Sequence, residues 1–306
     1  MNRTPHNQQT REAVLADVAV MGVRPAARKH GIPRRTVYTW AKEAKTDIIR
    51  AHITPKPSVG RILIYDIECL PNRGYFFDTR NENRSIPLSF IEKGKSVCSI
   101  AYKWLGEPET YAISISDFPH SDTYDDKWVV QAFLPIVEQA HYTVAHFGAG
   151  FDEPFLAARC MYNRLPPFPP VCNIDTYKLA KARFKGSLNS NSLDHLATLL
   201  TDDRKHKTDA MLWVKCAQGN RDAINQMVLY NKQDVEVLEE VFVRMLPYVK
   251  SKINLNLLID DAVFRCKSCG GSNMEHKGFE LLATTIRHRY RCCDCSAWST
   301  VKPRKL

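Results

Sequence analysis

The chain has 306 residues, 44% of them hydrophobic and 25% charged, room for about two domains of ~150 residues. A chain of this size can bury enough apolar surface to fold without disulfide staples, and no apolar run approaches the ~18 residues of a membrane span. The opening MNRTPHNQQTREAV lacks the apolar stretch of a secretory signal. A secreted, membrane-spanning or largely disordered protein is therefore not expected, and a cytoplasmic one is.

The formal net charge is +10, and it is unevenly placed. Residues 1–57 carry 11 Lys and Arg against 4 Asp and Glu, residues 58–260 carry 23 against 25, and residues 261–306 carry 9 against 4. Basic ends around a slightly acidic middle are the electrostatic footprint of polyanion binding by appended modules. Solubility alone would spread the charge more evenly. The ten cysteines are uneven too: Cys69, Cys98, Cys160, Cys172 and Cys216 are scattered, and five crowd into residues 266–295. That pattern fits a reducing compartment with one local metal site, not a disulfide framework.

In chain order, residues 1–50 read as helical. Thr10 is placed to cap a helix through Ala13, Val14, Val18 and Val20. In Gly22–Lys45 a sharp turn at Gly31 separates Ala26 and Ala27 from a helix that Pro33 starts well. Val37, Trp40, Ala41 and Ala44 share one face of that helix, and Arg34, Arg35, Tyr38, Thr39 and Lys42 share the other. This segment resembles the helix-turn-helix of resolvases and transposases, whose second helix enters the major groove. A helical hairpin with a solvated basic face is the plainer alternative. Residues 51–60, with two prolines and no periodicity, read as a linker.

Residues 61–257 alternate strands and helices. Strands are predicted at Arg61–Cys69, Tyr75–Asp78, Ser96–Leu105, Thr110–Ile115 and Tyr142–Phe147. Helices are predicted at Asp126–Ala140, Phe151–Asn163 and Met227–Leu246. Strands first and alternating β and α afterwards predict an α/β fold, a mixed sheet flanked by helices.

Asp66 and Glu68 stand at i and i+2 of the first strand and so point to one face, in line with Ile62 and Ile64. Two like charges ending an apolar strand are costly unless a cation neutralises them, although a solvated strand end would also hold them. Asp152 follows a strand at the start of a helix, after Gly148 and Gly150. Tyr230 and Asp234 are four apart and share a helix face.

Together, in this order and spacing, these segments resemble the DEDD superfamily of 3′–5′ exonucleases, the DnaQ-like branch of the ribonuclease H fold. Asp66 and Glu68 match its first motif, Asp152 its second and Asp234 its third. Tyr230 matches the tyrosine of the Y-x3-D subtype found in family-B polymerase proofreading domains, and the histidine subtype would place His at Leu229. The similarity covers about residues 61–250 and includes Asn173–Phe184 and Ser187–Ala197. One departure stands at Phe147, where the family often has asparagine. The resemblance implies two Mg²⁺ or Mn²⁺ ions held by Asp66, Glu68, Asp152 and Asp234, with Asp66 bridging. It also implies a water oriented by Tyr230 and in-line phosphodiester hydrolysis. The loop Ser187–Ser192, below Lys181, Arg183 and Lys185, is expected either to line the strand path or to be a solvated loop.

Residues 261–306 carry Cys266-x2-Cys269 and Cys292-x2-Cys295, in two short hairpin-like arms. Two such knuckles supply four thiolates for one structural Zn²⁺, and the segment resembles a zinc ribbon. Cys293 competes with Cys292, which is preferred because it restores the paired spacing. Arg287, His288, Arg289 and Arg291 mark either a nucleic-acid or partner surface, for example for a replication or repair protein, or a bare structural knob.

The sequence and this resemblance thus predict a metal-dependent 3′–5′ exonuclease hydrolysing the phosphodiester bonds of nucleic acid, with DNA favoured over RNA, associated with the nucleoid of a bacterial or phage-infected cell. The alternatives are a transposase- or integrase-like recombinase and a non-catalytic DNA-binding protein. Glu68 and the Tyr230–Asp234 pair argue against the recombinase, and the full set of acids argues against the binding protein.

Overall fold

The computed structural model describes residues 8–21, 23–41, 61–75, 86–119, 122–201, 209–249, 254 and 263–302. The predicted linker, Lys42 and most of the predicted Tyr75–Asp78 strand lie outside these residues.

The first helices are α1 (Gln8–Met21), α2 (Val23–Lys29) and α3 (34–41). Val14, Val18, Ala26, Ala27, Ile32, Val37 and Ala41 are buried together, with Trp40 packed against them. Between α2 and α3 the chain reverses at Gly31, whose φ of 63° suits a residue without a Cβ. Asp17 of α1 meets Lys29 at 2.8 Å and also bonds His30, tying the first helix to the end of the second. Thr10 lies inside α1 and does not cap it; the run of residues that favour helix extends to Gln8.

The central sheet has the order β5-β4-β1-β6-β7. Its strands are β1 (Ile62–Leu70), β4 (Ser96–Trp104), β5 (Thr110–Ser114), β6 (Tyr142–Ala145) and β7 (Cys172–Asp175). Two short strands, β2 (Arg73–Gly74) and β3 (Ile91–Lys93), pair with each other between β1 and β4. β5, β4 and β1 run antiparallel, while β1, β6 and β7 run parallel. β1 is central, and its first four residues are buried on both faces.

The helices that follow cover those faces: α4 (Lys127–Val137), α5 (Asp152–Tyr162), α6 (Thr176–Phe184), α7 (Leu193–Leu200), α8 (Met211–Ala217) and α9 (Arg221–Met245). Leu63, Tyr65 and Ile67 pack in one core with α4, α5, α8 and the start of α9. Ile62 and Ile64 pack in the other with Ala180, Leu196 and the later turns of α9. α9 is 25 residues long and begins six residues before the predicted Met227, behind an Asn220 cap that accepts from the Ala223 N–H at 2.9 Å. Among the described residues no helix is long and apolar enough to cross a membrane.

A separate three-stranded sheet, β10-β9-β8, is built from β8 (Met274–Leu281), β9 (Ile286–Cys292) and β10 (Trp298–Val301). The second CxxC forms the turn of the antiparallel β9–β10 hairpin, while the first is a turn that precedes β8, and the two turns share one hydrogen-bond pattern. Gly270 N–H bonds Cys266 O and Cys266 N–H bonds Gly271 O; Ser296 N–H bonds Cys292 O and Cys292 N–H bonds Ala297 O. Gly270 and Ser296, at matching places, both have positive φ.

Candidate active site

The parallel pairing of β1 with β6 runs only from Ile62 to Ile64. β1 continues past it, so Asp66 and Glu68 stand at the crevice where the neighbouring strand ends, the usual place for a site in an open α/β sheet. They keep the alternation of Ile62 and Ile64 and therefore look toward α9. A register shift between Glu68 and Cys69 then interrupts the ladder to β4, a device that re-aims side chains beside many sites.

α9 presents the answering face. Leu238, Val241, Phe242 and Met245 recur at helical spacing and bury against Ile62 and Ile64. One turn earlier the same stripe turns polar, with Asn231 and Asp234. Asp66, Glu68 and Asp234 each bring a carboxylate oxygen within 4.8 Å of the others.

Two further side chains hold these acids. Asn231, fully buried, donates from Nδ2 to Asp66 Oδ2 at 2.8 Å and to Asp66 O at 3.3 Å, and its Oδ1 accepts from Ser99 Oγ at 2.9 Å. Trp213 of α8 donates from Nε1 to Glu68 Oε2 at 3.1 Å, and its ring meets Tyr230 edge-on at 6.0 Å. Such outer partners fix the rotamers of a binding carboxylate before any ligand arrives.

Asp152 lines the same cavity, but its carboxylate is not in the close cluster. Its Oδ1 instead accepts from the Ile67 N–H of β1 at 3.3 Å. Burial pushes its carboxyl up to about 7, against the opposing effect of that backbone bond.

The loop before Asp152 is set by contact more than by glycine freedom. Phe147, not a glycine, takes the positive φ, 63°, and its N–H donates to Asp175 Oδ1 at 3.1 Å. The same oxygen accepts from Lys178 N–H at the start of α6. A Cβ on Gly150 would come within 2.5 Å of the Phe147 ring, and one on Gly148 within 2.4 Å of Ala145 Cβ. Gly148 is therefore needed for close approach, whereas at Gly150 the crowding is only with the outer end of the exposed Phe147 ring. Phe147 contributes only its backbone to a polar contact, and its ring sits beside Tyr177 at 5.2 Å.

The cavity, about 360 Å³, is lined by Asp66, Glu68, Asp152, Asp194 and Asp234 together with His146, Phe147, Phe151, Ser192, Leu193 and Tyr230. Among the described residues no Lys or Arg lines it. Five carboxyls gathered in one concavity are a poor arrangement for the bare protein and a good one for hard divalent cations. Of the predicted Ser187–Ser192 loop, Ser192 reaches the cavity, where it also caps α7. Lys181 lies near the Tyr177 ring and Arg183 Nε donates to Tyr248 O.

Sequence reasoning did not find Asn231, Trp213, Ser99, Asp194 or His146. Asn231 was readable as a polar residue on an apolar helical stripe. Trp213 carries no such signal, because 145 residues separate it from Glu68.

Elsewhere, Arg34, Arg35, Tyr38 and Thr39 are exposed on α3. The sulfurs of Cys266, Cys269, Cys292 and Cys295 gather within 4.8 Å, and Cys293 is exposed outside the group. Cys266 Sγ to Cys295 Sγ is 3.6 Å and Cys269 Sγ to Cys292 Sγ is 3.7 Å. Four thiolates at ~2.3 Å from a tetrahedral centre would be about 3.8 Å apart. The donor set fits a metal ion.

A mixed sheet with helices on both faces and acids at the open end of its central strand defines the ribonuclease H-like class of folds. The family model for the RNase_H superfamily matches residues 93–246, half of the chain, and the chain belongs to that superfamily. The match contains Asp152, Tyr230 and Asp234 and begins after Asp66 and Glu68. A solved structure similar to this chain is the family B DNA polymerase from the hyperthermophilic archaeon Pyrobaculum calidifontis. The identity is 18% and the TM-score 0.46, over 63% of this chain and 25% of that one, so this chain spans about a quarter of the polymerase's length. No curated protein matches the chain.

Proposed function

We propose that this protein is a 3′–5′ exonuclease of the DEDD type that hydrolyses DNA with two divalent metal ions. The observation that carries the reading is the cavity whose described lining holds five carboxyls, three of them with oxygens within 4.8 Å of one another. Asp66, Glu68, Asp152 and Asp234 would hold two Mg²⁺ or Mn²⁺ ions. When bound, such ions supply an activated water and charge stabilisation at the attacking and leaving oxygens.

The remaining work belongs to the chain. Asn231 and Trp213 hold Asp66 and Glu68 in place, so little reorganisation is needed during the reaction. The Tyr230 hydroxyl orients the attacking water; a phenol of pKa ~10 is poorly suited to take its proton at neutral pH. Phe147 and Phe151, part-exposed at the cavity, offer ring faces to the terminal bases.

The ends supply affinity. Residues 1–50 act as a helix-turn-helix in which α3, with Arg34, Arg35, Tyr38, Thr39 and the following Lys42, meets the duplex. Residues 261–306 act as a zinc ribbon whose ion on Cys266, Cys269, Cys292 and Cys295 is structural. Both modules place the protein on cytoplasmic, nucleoid DNA.

The test is a 5′-labelled single strand incubated with Mg²⁺ or Mn²⁺. The wild type should give a ladder shortening from the 3′ end. Asp66→Ala should give none while keeping its circular dichroism, and Tyr230→Phe should slow the ladder by less than about 100-fold, the lower edge of proton-transfer effects. Strand joining without a ladder would identify a recombinase. Binding without either product would identify a non-catalytic DNA-binding protein.

A further inference from the structure

Alternation divides β9 between two faces of the three-stranded sheet, with Arg287, Arg289 and Arg291 on one and His288 and Tyr290 on the other. The register extends each set across the sheet. On β10 Trp298 lies opposite Arg291 and Thr300 opposite Arg289, and on β8 Glu275 lies opposite Arg291 and Glu280 opposite Arg287. Lys277, next to His276, alternates onto the arginine face too. The other face carries the rings of His276, Phe279, His288 and Tyr290, with Phe279 brought onto it by an irregularity in β8 between His276 and Phe279. Only one ring, Trp298, stands among the cations of β9, and it is 55% exposed.

This arginine face gives onto a cleft of about 770 Å³ whose second wall is the central domain. Lys267, Arg287 and Trp298 line the wall of the C-terminal sheet, and Arg183 of α6 and Tyr248, just beyond α9, line the other. Arg183 Nε donates to Tyr248 O at 2.6 Å, which holds cation and ring together on that wall. Tyr248 is 61% exposed. Among the described lining residues Glu280 is the single acid, and it already stands 3.9 Å from Arg287. Glu275, the other acid of the arginine face, bonds Lys277. Arg289 and Arg291 are exposed and extend the positive surface past the cleft. None of its described lining residues is shared with the carboxyl-lined cavity. Leu246 at its edge lies about 18 Å along α9 from Asp234, at ~1.5 Å per residue.

A ring on each wall, in a field of one sign, complements a polyanion that has flat faces of its own, whose bases stack on rings while its phosphates meet the cations. A duplex keeps those base faces covered. An acidic peptide would match the arginines and leave Trp298 and Tyr248 with nothing to stack on.

We propose that this cleft binds single-stranded DNA, with Trp298 and Tyr248 as the stacking rings and Arg183, Lys267, Arg287 and Arg289 on the phosphates. The choice of DNA rests on the nuclease reading; binding here requires no cleavage.

The test uses the full chain with Asp66→Asn, so that the strand is not cut, kept in zinc-containing buffer. Binding of a fluorescent thirty-residue oligothymidylate is followed by anisotropy, and a 4-thiothymidine version is photo-crosslinked and mapped. Trp298→Ala with Tyr248→Ala should weaken binding by at least about fivefold, the low end of one lost base–ring stack. Trp298→Phe should retain it. Arg287→Ala with Arg289→Ala should lower the slope of log affinity against log salt by about 1.4, two single-strand phosphate contacts at ~0.7 each. Phe279→Ala, on the opposite face, should leave binding unchanged, and crosslinks should fall on both walls of the cleft. Unchanged affinity in the Trp298 and Tyr248 double variant, with the amide signals of β8 to β10 in place, would overturn the proposal. Crosslinks confined to residues outside the cleft and the arginine face would do the same. So would an equal loss of blunt-duplex binding in that variant, since a duplex offers no base faces to stack. Cleavage failing in the earlier assay leaves this result readable, and the reverse holds too.

Discussion

Asp66 and Glu68 show how much a pair of residues depends on its supports. Each acid has a donor from a different helix: Asn231 of α9 for Asp66 and Trp213 of α8 for Glu68. Trp213→Phe keeps a ring beside Tyr230 and deletes one N–H, and Asn231→Leu deletes both donated bonds at similar volume. Each should raise the Mg²⁺ or Mn²⁺ concentration needed for half-maximal cleavage by about 10–100-fold, the usual cost of losing an outer partner. With Trp213→Phe, the rate at saturating metal should stay near wild type. A metal titration separates this outcome from a general loss of folded protein, which would lower the rate at every concentration. In the sequence, Asp66, Glu68, Asp152, Tyr230 and Asp234 were legible because motif spacing fixes their faces. Their supports were not, since a hydrogen bond across 145 residues has no local signature.

At the scale of elements, α9 joins the two cores and the site. Ala223, Ile224 and Met227 belong to one buried cluster and Val235, Leu238 and Phe242 to the other. Phe242 is fully buried, so Phe242→Ala should cost about 3–5 kcal/mol, measured by urea unfolding of the central domain. The helix was legible from its apolar spacing, but its start was not: the Asn220 cap precedes Arg221 and Asp222, which look like a solvated loop. The first helices depend on Asp17, whose bonds to Lys29 and His30 hold its carboxyl below the ordinary range. Because the folded value is depressed, this contribution is full above the unfolded carboxyl's pKa and fades as pH falls through the folded value. Wild type should therefore exceed Asp17→Asn in thermal stability at about pH 6, and the gap should shrink as pH falls below about 4, the ordinary aspartate value. Resonances of residues 8–41 would report it.

For the whole molecule, the ring-bearing C-terminal sheet has almost no apolar core of its own. Among the described residues its buried apolar cluster consists of Cys266, Cys292 and Ala297, with Met274 and Cys295 packed against them. Such a segment cannot offset its chain entropy by burial, whereas a structural Zn²⁺ contributes about 10–16 kcal/mol in comparable small domains. A zinc chelator should therefore collapse the amide spectrum of β8 to β10 and leave the five-stranded sheet's signals in place. Retention of both sets would show that the cysteines need no metal.

The sequence by itself determined the order of strands and helices, the four-cysteine spacing and the acids that share a face. Those features are local, written in periods of two and of about 3.6 residues and in pairs of nearby residues. Only the tertiary structure decided that Asp152 bonds β1 and stands outside the close carboxylate cluster. It also decided that Phe147 carries the positive φ, that Asn231 and Trp213 hold the acids, and that Phe279 joins the ring face through an irregular β8. Each of these depends on which distant segments meet, and on how buried charges and close backbone contacts are settled once they do.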